Sequence, residues 1–268
     1  MNAKSETQPY FSSKDERALL YKGEMQKLVP MLFSETKADV IFADPPYFLS
    51  NGGITCKSGR MVSVNKGKWD ESRGAQENHE FNLAWLRICK EALTKDGTIW
   101  ITGTSHIIFS IGYALQQLDY KILNDIIWVK TNPPPNLSCR YFTHSTEIVL
   151  WASKDTKSKH FFNYSLIKQL NRGKQMKNVW TINAPGKCEK IYGKHPTQKP
   201  IELLKMILLA STRKGDLVLD PFCGSGTTGV AALELGRRFV GIDTDEHYLS
   251  LAERRIQDVI ESPQLDIA

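Results

Sequence analysis

Asp216-Leu217-Val218-Leu219-Asp220-Pro221-Phe222-Cys223-Gly224-Ser225-Gly226-Thr227-Thr228-Gly229 runs from a short apolar strand straight into a glycine-rich turn. Residues 224–229 spell G-x-G-x-x-G in the setting that motif requires, after a strand and at the start of a helix that ends near Gly236. Glycines in such a turn adopt positive φ and let backbone approach a ligand closely. Asp243 closes the next strand, residues 238–242, where an acid can accept hydrogen bonds from ribose hydroxyls. A nucleoside-bearing cofactor is therefore expected. No Gly-Lys-Ser/Thr follows, which argues against a Walker-type nucleotide site. A dinucleotide and S-adenosylmethionine (AdoMet) both suit this turn. Asp220 favours AdoMet, because a carboxylate at the strand end repels a pyrophosphate and suits an ammonium.

Asp44-Pro45-Pro46-Tyr47 is the second unusual stretch, and it follows another buried strand, the apolar run of residues 40–43. Two prolines fix φ and remove two backbone donors, so the chain leaves the sheet stiff and extended. One carboxylate, the Pro45 carbonyl and one aromatic ring are presented together at the carboxyl end of a strand, where open α/β sheets bind ligands. Alone, this could be a proline turn with a surface acid. Hydride transfer, the chemistry of the dinucleotide alternative, has no obvious use for it.

The intervening chain supplies the rest of an α/β pattern. Strands are expected at residues 17–21, 98–102, 122–129 and 147–151. Met25, Leu28 and Leu32 suggest a helix that Pro30 should break or kink. Asn78 is placed to cap a helix carrying Phe81, Trp85, Ile88 and Ala92, and Ile107, Ile108, Ile111, Ala114, Leu115 and Leu118 mark another. Thr197 is placed to cap a helix that buries Ile201, Leu204, Ile207 and Leu208, with Pro200 in its first turn. Tyr248, Leu251, Ala252, Ile256 and Val259 mark a last amphipathic helix. Strands alternating with helices mean a doubly wound, mostly parallel sheet. Residues 1–16 read as a polar arm or tail, and residues 48–77 as a long Gly-, Lys- and Ser-rich loop.

The 268 residues are 41% apolar, ample for one large domain or a core with an insertion. No apolar run is long enough for a membrane span, and the first residues lack a signal-peptide core. Five dispersed cysteines without Cys-x-x-Cys fit a reducing cytoplasm and argue against a disulfide framework or structural zinc. Six scattered histidines suggest no metal site. Residues 133–200 carry 12 lysines and arginines against 3 acids, although the whole chain is only +6. This local surplus resembles a footprint for a polyanion, although a solvated insertion would look the same. Arg140, Lys168, Arg172, Lys174 and Lys177 are the candidate phosphate contacts.

Together, Asp44-Pro45-Pro46-Tyr47, residues 220–228 and His195-Pro196-Thr197-Gln198-Lys199-Pro200 resemble the DNA methyltransferases that act on exocyclic amino groups. Their order, catalytic motif first and cofactor turn last, looks like the circularly permuted β group. Within it the chain is most similar to the DpnA-type second methyltransferases of GATC restriction–modification systems. The resemblance implies a seven-stranded AdoMet-dependent methyltransferase sheet. It divides the chain into a catalytic half (1–152), a basic target-recognition insertion (153–194) and a cofactor-binding half (195–268). By position it assigns Asp44, Pro45, Pro46 and Tyr47 to the target base. Asp220, Phe222, Gly224, Ser225, Gly226, Thr227 and Asp243 are assigned to AdoMet, and Thr197, Gln198 and Lys199 to its methionine end. Glu24, standing where the family often has Asp, is assigned to the adenine of AdoMet. The implied activity is adenine-N6 methylation, since Asp at position 44 is commoner in those enzymes; cytosine-N4 methylation is the alternative. DNA is the implied partner, and homodimers are frequent in the group. Tyr141, Phe142, Phe161, Phe162 and Tyr164 stand among Arg140, Lys157, Lys159 and Lys168, as stacking platforms for single strands do, although core rings would be spaced no differently.

Overall fold

The computed structural model describes residues 8–262 except 51, 53, 58, 59, 64, 66–69 and 194. The strands are β1 (Phe11–Ser12), β2 (Ala18–Lys22), β3 (Ala38–Ala43), β4 (Ile54–Lys57), β5 (Arg60–Ser63), β6 (Leu93–Gly103), β7 (Lys121–Val129), β8 (Thr146–Ser153), β9 (Val179–Thr181), β10 (Leu217–Asp220) and β11 (Arg238–Asp243). The helices are α1 (Met25–Leu32), α2 (Ala75–Ala92), α3 (Ile108–Gln117), α4 (Tyr164–Leu170), α5 (Ile201–Ser211), α6 (Thr227–Glu234) and α7 (Glu246–Glu261).

One nine-stranded sheet runs in the order β1-β2-β11-β10-β3-β6-β8-β7-β9, and β4 and β5 form a separate antiparallel pair. The expected seven strands are β2 to β7 of that order, with the short β1 and β9 added at its edges. Only β1 and β8 run against the rest. Period-two alternation explains the two cores. In β3, Ile41 and Ala43 face one cluster with Trp85, Leu86 and Ile111, while Val40 and Phe42 face the other with Leu204, Ile207, Val230 and Ile256. Helices α1–α3 therefore cover one face and α5–α7 the other.

From β3 the chain crosses through α2 to β6 on one side. From β10, the neighbour of β3, it crosses through α6 to β11 on the other. The winding reverses between β3 and β10, so a crevice opens at their carboxyl ends. Asp44 and the glycine-rich turn both leave the sheet there.

Several local expectations need correction. Helix α1 keeps Pro30 inside it, because Pro30 is exposed while Met25, Leu28 and Val29 anchor the buried face. Helix α2 begins at Ala75, earlier than Asn78, whose Oδ1 accepts from Arg73 N instead. Thr197 does not cap α5; Pro200 is its N-cap residue, and Glu189 Oε2 accepts from Ile201 N at 2.9 Å. Residues 8–16 are no loose tail, since β1 pairs with β2 and Ser13 Oγ accepts from Ala18 N. Residues 1–7 of the expected arm lie outside the described residues. So does part of the 48–77 stretch, the rest of which includes β4, β5 and the first turn of α2.

Candidate active site

Asp44 follows β3 directly, and its carboxylate is held by three side chains, two of them from distant parts of the chain. Oδ1 accepts from Thr102 Oγ1 (2.6 Å) and Tyr47 OH (2.8 Å), and Oδ2 accepts from Lys199 Nζ (2.5 Å). Thr102 stands near the carboxyl end of β6, beside β3 in the parallel register. Glu147, near the start of β8, places Oε2 3.2 Å from Tyr47 OH and 3.9 Å from Lys199 Nζ, while Oε1 pairs with Lys130. Lys199 Nζ also lies 5.2 Å from the centre of the Tyr47 ring.

Burial alone would push the Asp44 carboxyl up; the Lys199 ammonium and the three hydrogen bonds outweigh it and hold the group below the ordinary carboxylate range. Burial likewise opposes the Lys199 charge, but Asp44 and Glu147 raise its pKa above the usual lysine value. Tyr47 is raised well above a free tyrosine by burial and by those two carboxylates. At neutral pH the set is an ionised Asp44, an ammonium and a neutral phenol. The Tyr47 ring is buried in the core, and its hydroxyl donates to Asp44 with Glu147 Oε2 also in reach.

The chain beyond Tyr47 is pinned by buried Asp70, which accepts from Tyr47 N, Leu49 N and Ser50 Oγ. Thr102, Glu147, Lys130 and Asp70 escaped the sequence reading. The one available signal for Thr102 was its place at the end of a strand expected beside that of Asp44, and for Glu147 its place as an acid at the head of a strand. Asp70 carried no comparable signal.

On the other lip of the crevice, Gly224 (φ 48°) and Gly226 (φ 72°) take left-handed backbone. A Cβ on Gly226 would come within 2.6 Å of Ala252 Cβ. Asp243 Oδ2 accepts from Gly224 N at 2.8 Å and Oδ1 from Asp245 N at 2.9 Å, so the acid braces the turn it faces. Asp220 accepts from Phe222 N and Thr228 Oγ1, and burial raises its carboxyl to about 7. Arg255, reaching in from α7, donates to Ser225 O, Ser225 Oγ and Thr227 Oγ1.

A cavity of about 760 Å³ joins the two lips. Asp44, Pro46, Glu24, Thr197, Phe222, Gly224 and Asp243 lie on its wall, with His195, Phe48, Phe81 and Tyr248. Pro45, Tyr47, Gln198, Lys199, Asp220, Ser225, Gly226 and Thr227 are not among its lining residues. Asp220 orders the turn from inside, and Lys199 directs its ammonium to Asp44. An acceptor carboxylate (Asp243), close-approach backbone (Gly224) and aromatic walls (Phe222, Tyr248) are the chemistry a sulfonium nucleoside needs, and the volume suits a molecule of that size.

The five basic candidates do not share one surface. Arg140 is exposed in the 130–145 loop, at the carboxyl end of the sheet beside the crevice, with Tyr141 and Phe142, the latter 96% exposed. Strand β8 instead delivers the chain to the amino end, where Ser153 pairs with Thr98 and Lys121. Asn163 N then donates to Ala210 O at the far end of α5, and the chain returns along the outer edge through β9. Lys168, Arg172, Lys174 and Lys177 therefore lie around the amino end and outer edge, away from Asp44. The rings near them are engaged there: Phe161 under Arg213 and Phe162 against Trp151. Of the five candidate phosphate contacts, Arg140 stands at the carboxyl end with Asp44 and the other four do not. Charge composition registers a surplus but not which end of a sheet it reaches.

A DNA methylase family model matches residues 38–254. The chain is 56% identical to the Type II methyltransferase M2.DpnII of Streptococcus pneumoniae, over 94% of this chain and 93% of that protein. It is 49% identical to M2.MboI of Moraxella bovis, over 94% and 92%. Among solved structures, an M1.HpyAVI–SAM complex superposes with a TM-score of 0.68 at 28% identity, covering 89% of this chain and 98% of that one. The cytosine-N4-specific PvuII methyltransferase shares the fold at a TM-score of 0.68 and 17% identity, covering 94% and 93%. With the permuted motif order and both lips of the crevice in place, this chain belongs to the N6/N4 DNA methylase family and is an AdoMet-dependent DNA methyltransferase.

Proposed function

We propose that the protein transfers a methyl group to the N6 amino group of adenine in DNA, as the modification enzyme of a restriction–modification system, with GATC as its site. The observation that carries the chemistry is Asp44, held ionised at the switch point and sharing a cavity wall with Gly224 and Asp243. The site and the system rest on the resemblance to DpnA-type enzymes.

AdoMet supplies an electrophilic methyl group when bound; Asp243, the Gly224 backbone, Phe222 and Glu24 would hold it. The chain's own residues act on the base. An exocyclic amino nitrogen is a poor nucleophile because its lone pair is delocalised into the ring. Attack requires pyramidal nitrogen and builds positive charge on it. Asp44 and the Pro45 carbonyl are the two acceptors for its N–H groups, and they stabilise that charge as it forms. Pro45 and Pro46 keep their directions fixed, and alignment in the crevice provides much of the remaining rate. A base in a duplex must be flipped out to arrive there, at a few kcal/mol, and a single strand avoids most of that cost. Exposed Arg140, Tyr141 and Phe142 beside the crevice suit a strand that is unpaired. We therefore propose methylation of single-stranded DNA at least as fast as of duplex.

The test is methylation of random-sequence DNA with labelled AdoMet, nucleoside analysis of the product and mapping of the modified site. N6-methyl-2′-deoxyadenosine in GATC supports the reading, and N4-methyl-2′-deoxycytidine favours the alternative. Single-turnover rates on matched oligonucleotides test strandedness, and strict duplex dependence would refute it.

A further inference from the structure

We propose that Lys199 is a positioning residue for the transfer step: its ammonium fixes Asp44 as an ionised acceptor and leaves one site on Oδ2 for an N–H of the target amino group. This rests on the function proposed above. Lys199 is only 7% exposed in its side chain and is not among the residues that line the cavity. The neighbours of that nitrogen are Asp44 Oδ2 at 2.5 Å, the Thr197 carbonyl at 3.3 Å, Glu147 at 3.9 Å and the Tyr47 ring. A lysine serving the carboxylate of a cofactor would present its ammonium to the cavity. This one presents it to the catalytic carboxylate.

A carboxylate offers about four acceptor sites. Thr102 and Tyr47 occupy both on Oδ1, and Lys199 occupies one on Oδ2. The remaining Oδ2 site belongs to a residue on the cavity wall. The charged groups facing this cluster are Glu147 from β8, with Lys130 on its far oxygen, and Asp220 from β10. Without Lys199, a desolvated Asp44 beside these two acids would keep its proton and become a donor, unable to receive an N–H. With Lys199, Asp44 accepts a hydrogen bond and no proton while the nitrogen lone pair forms the N–C bond and the C–S pair leaves with sulfur. The surplus proton on nitrogen departs afterwards to water in the open cavity.

The experiment compares wild type, Lys199→Met and Lys199→Arg by single-turnover methylation against pH and by AdoMet binding calorimetry. It adds ¹³C titration of the Asp44 carboxyl, identified by its loss in Asp44→Asn. Lys199→Met should slow transfer about 10²-fold while AdoMet Kd stays within about threefold. Its acid limb should move up by at least about one pH unit, and Lys199→Arg should return that limb toward wild type. An unmoved acid limb, or AdoMet affinity falling in step with the rate, overturns the proposal. If Lys199→Met does not fold, the wild-type titration still decides, because an Asp44 titrating at or above the ordinary carboxylate value refutes it. A wild type that methylates no DNA sinks the proposed function instead, and the ¹³C titration is read independently of activity.

Discussion

Asp44 and Lys199 form a pair whose stability contribution can be worked out from its surroundings. In Asp44→Ala the ammonium stays buried, Thr102 and Tyr47 lose their shared acceptor, and Glu147 at 3.9 Å is the nearest remaining anion. Removing one partner of a buried pair costs about 3–5 kcal/mol. Glu147 recovers part of this, so we expect about 3 kcal/mol. Lys199→Met should cost a similar amount, since Asp44 is only 14% exposed in its side chain. The double variant Asp44→Asn/Lys199→Met removes both charges and keeps the shapes. It should be more stable than the sum of its singles by about 2 kcal/mol, within the range seen for contacting residues. Urea unfolding at pH 7 measures this, provided the denaturant slope is unchanged. Additivity within about 0.5 kcal/mol would refute the coupling. The pH window follows from the directions of the shifts. Asp44 is lowered, so its contribution is present above the unfolded carboxylate value and is lost as pH falls through the folded one. Lys199 is raised, so its contribution is present below the ordinary lysine value and is lost as pH rises through the folded one. The coupling should therefore be flat between about pH 5 and 9.

Four further outcomes can be checked. Gly226→Ala should cost at least about 1–2 kcal/mol from left-handed backbone alone, with the Ala252 clash added, and AdoMet affinity should fall with it; a thermal scan showing wild-type stability would contradict the geometry. Asp220 holds its proton to about 7 when folded but releases it near 3.8 when unfolded, so stability should drop as pH rises between those values. The slope approaches about 1.4 kcal/mol per unit, and Asp220→Asn should flatten it in denaturation series. Asp243→Ala should weaken AdoMet binding in calorimetry both by removing an acceptor and by loosening the Gly224 turn; unchanged affinity would mean the cofactor sits elsewhere. Arg140→Gln should reduce the log–log salt slope of DNA binding by about 0.7–0.9, whereas neutralising Lys168, Arg172, Lys174 and Lys177 together should leave it nearly unchanged; the opposite ranking would return DNA to the amino end of the sheet.

Short-range physics made much of this protein legible in its sequence. Apolar runs of period two and period 3.6 announce the strands and most helices, because burial acts on neighbours along one element. The turn at residues 224–229, the acid at 243 and the stiff Asp44-Pro45-Pro46 exit are also local, each written in consecutive residues. From them the fold class, the nucleoside cofactor and the Asp44 end of the site follow. What surrounds Asp44 does not. Thr102, Glu147 and Lys199 lie tens to more than a hundred positions away, and only strand order brings their side chains to one carboxylate. The sequence alone likewise counted the positive charge of residues 133–200 but could not place it. The antiparallel β8 carries the chain from the crevice to the opposite end of the sheet, so Arg140 and Lys168 part company within a few turns of chain. Motif chemistry is set by covalent neighbours, and the ionisation, orientation and reach of those motifs by groups that meet only after the sheet has formed.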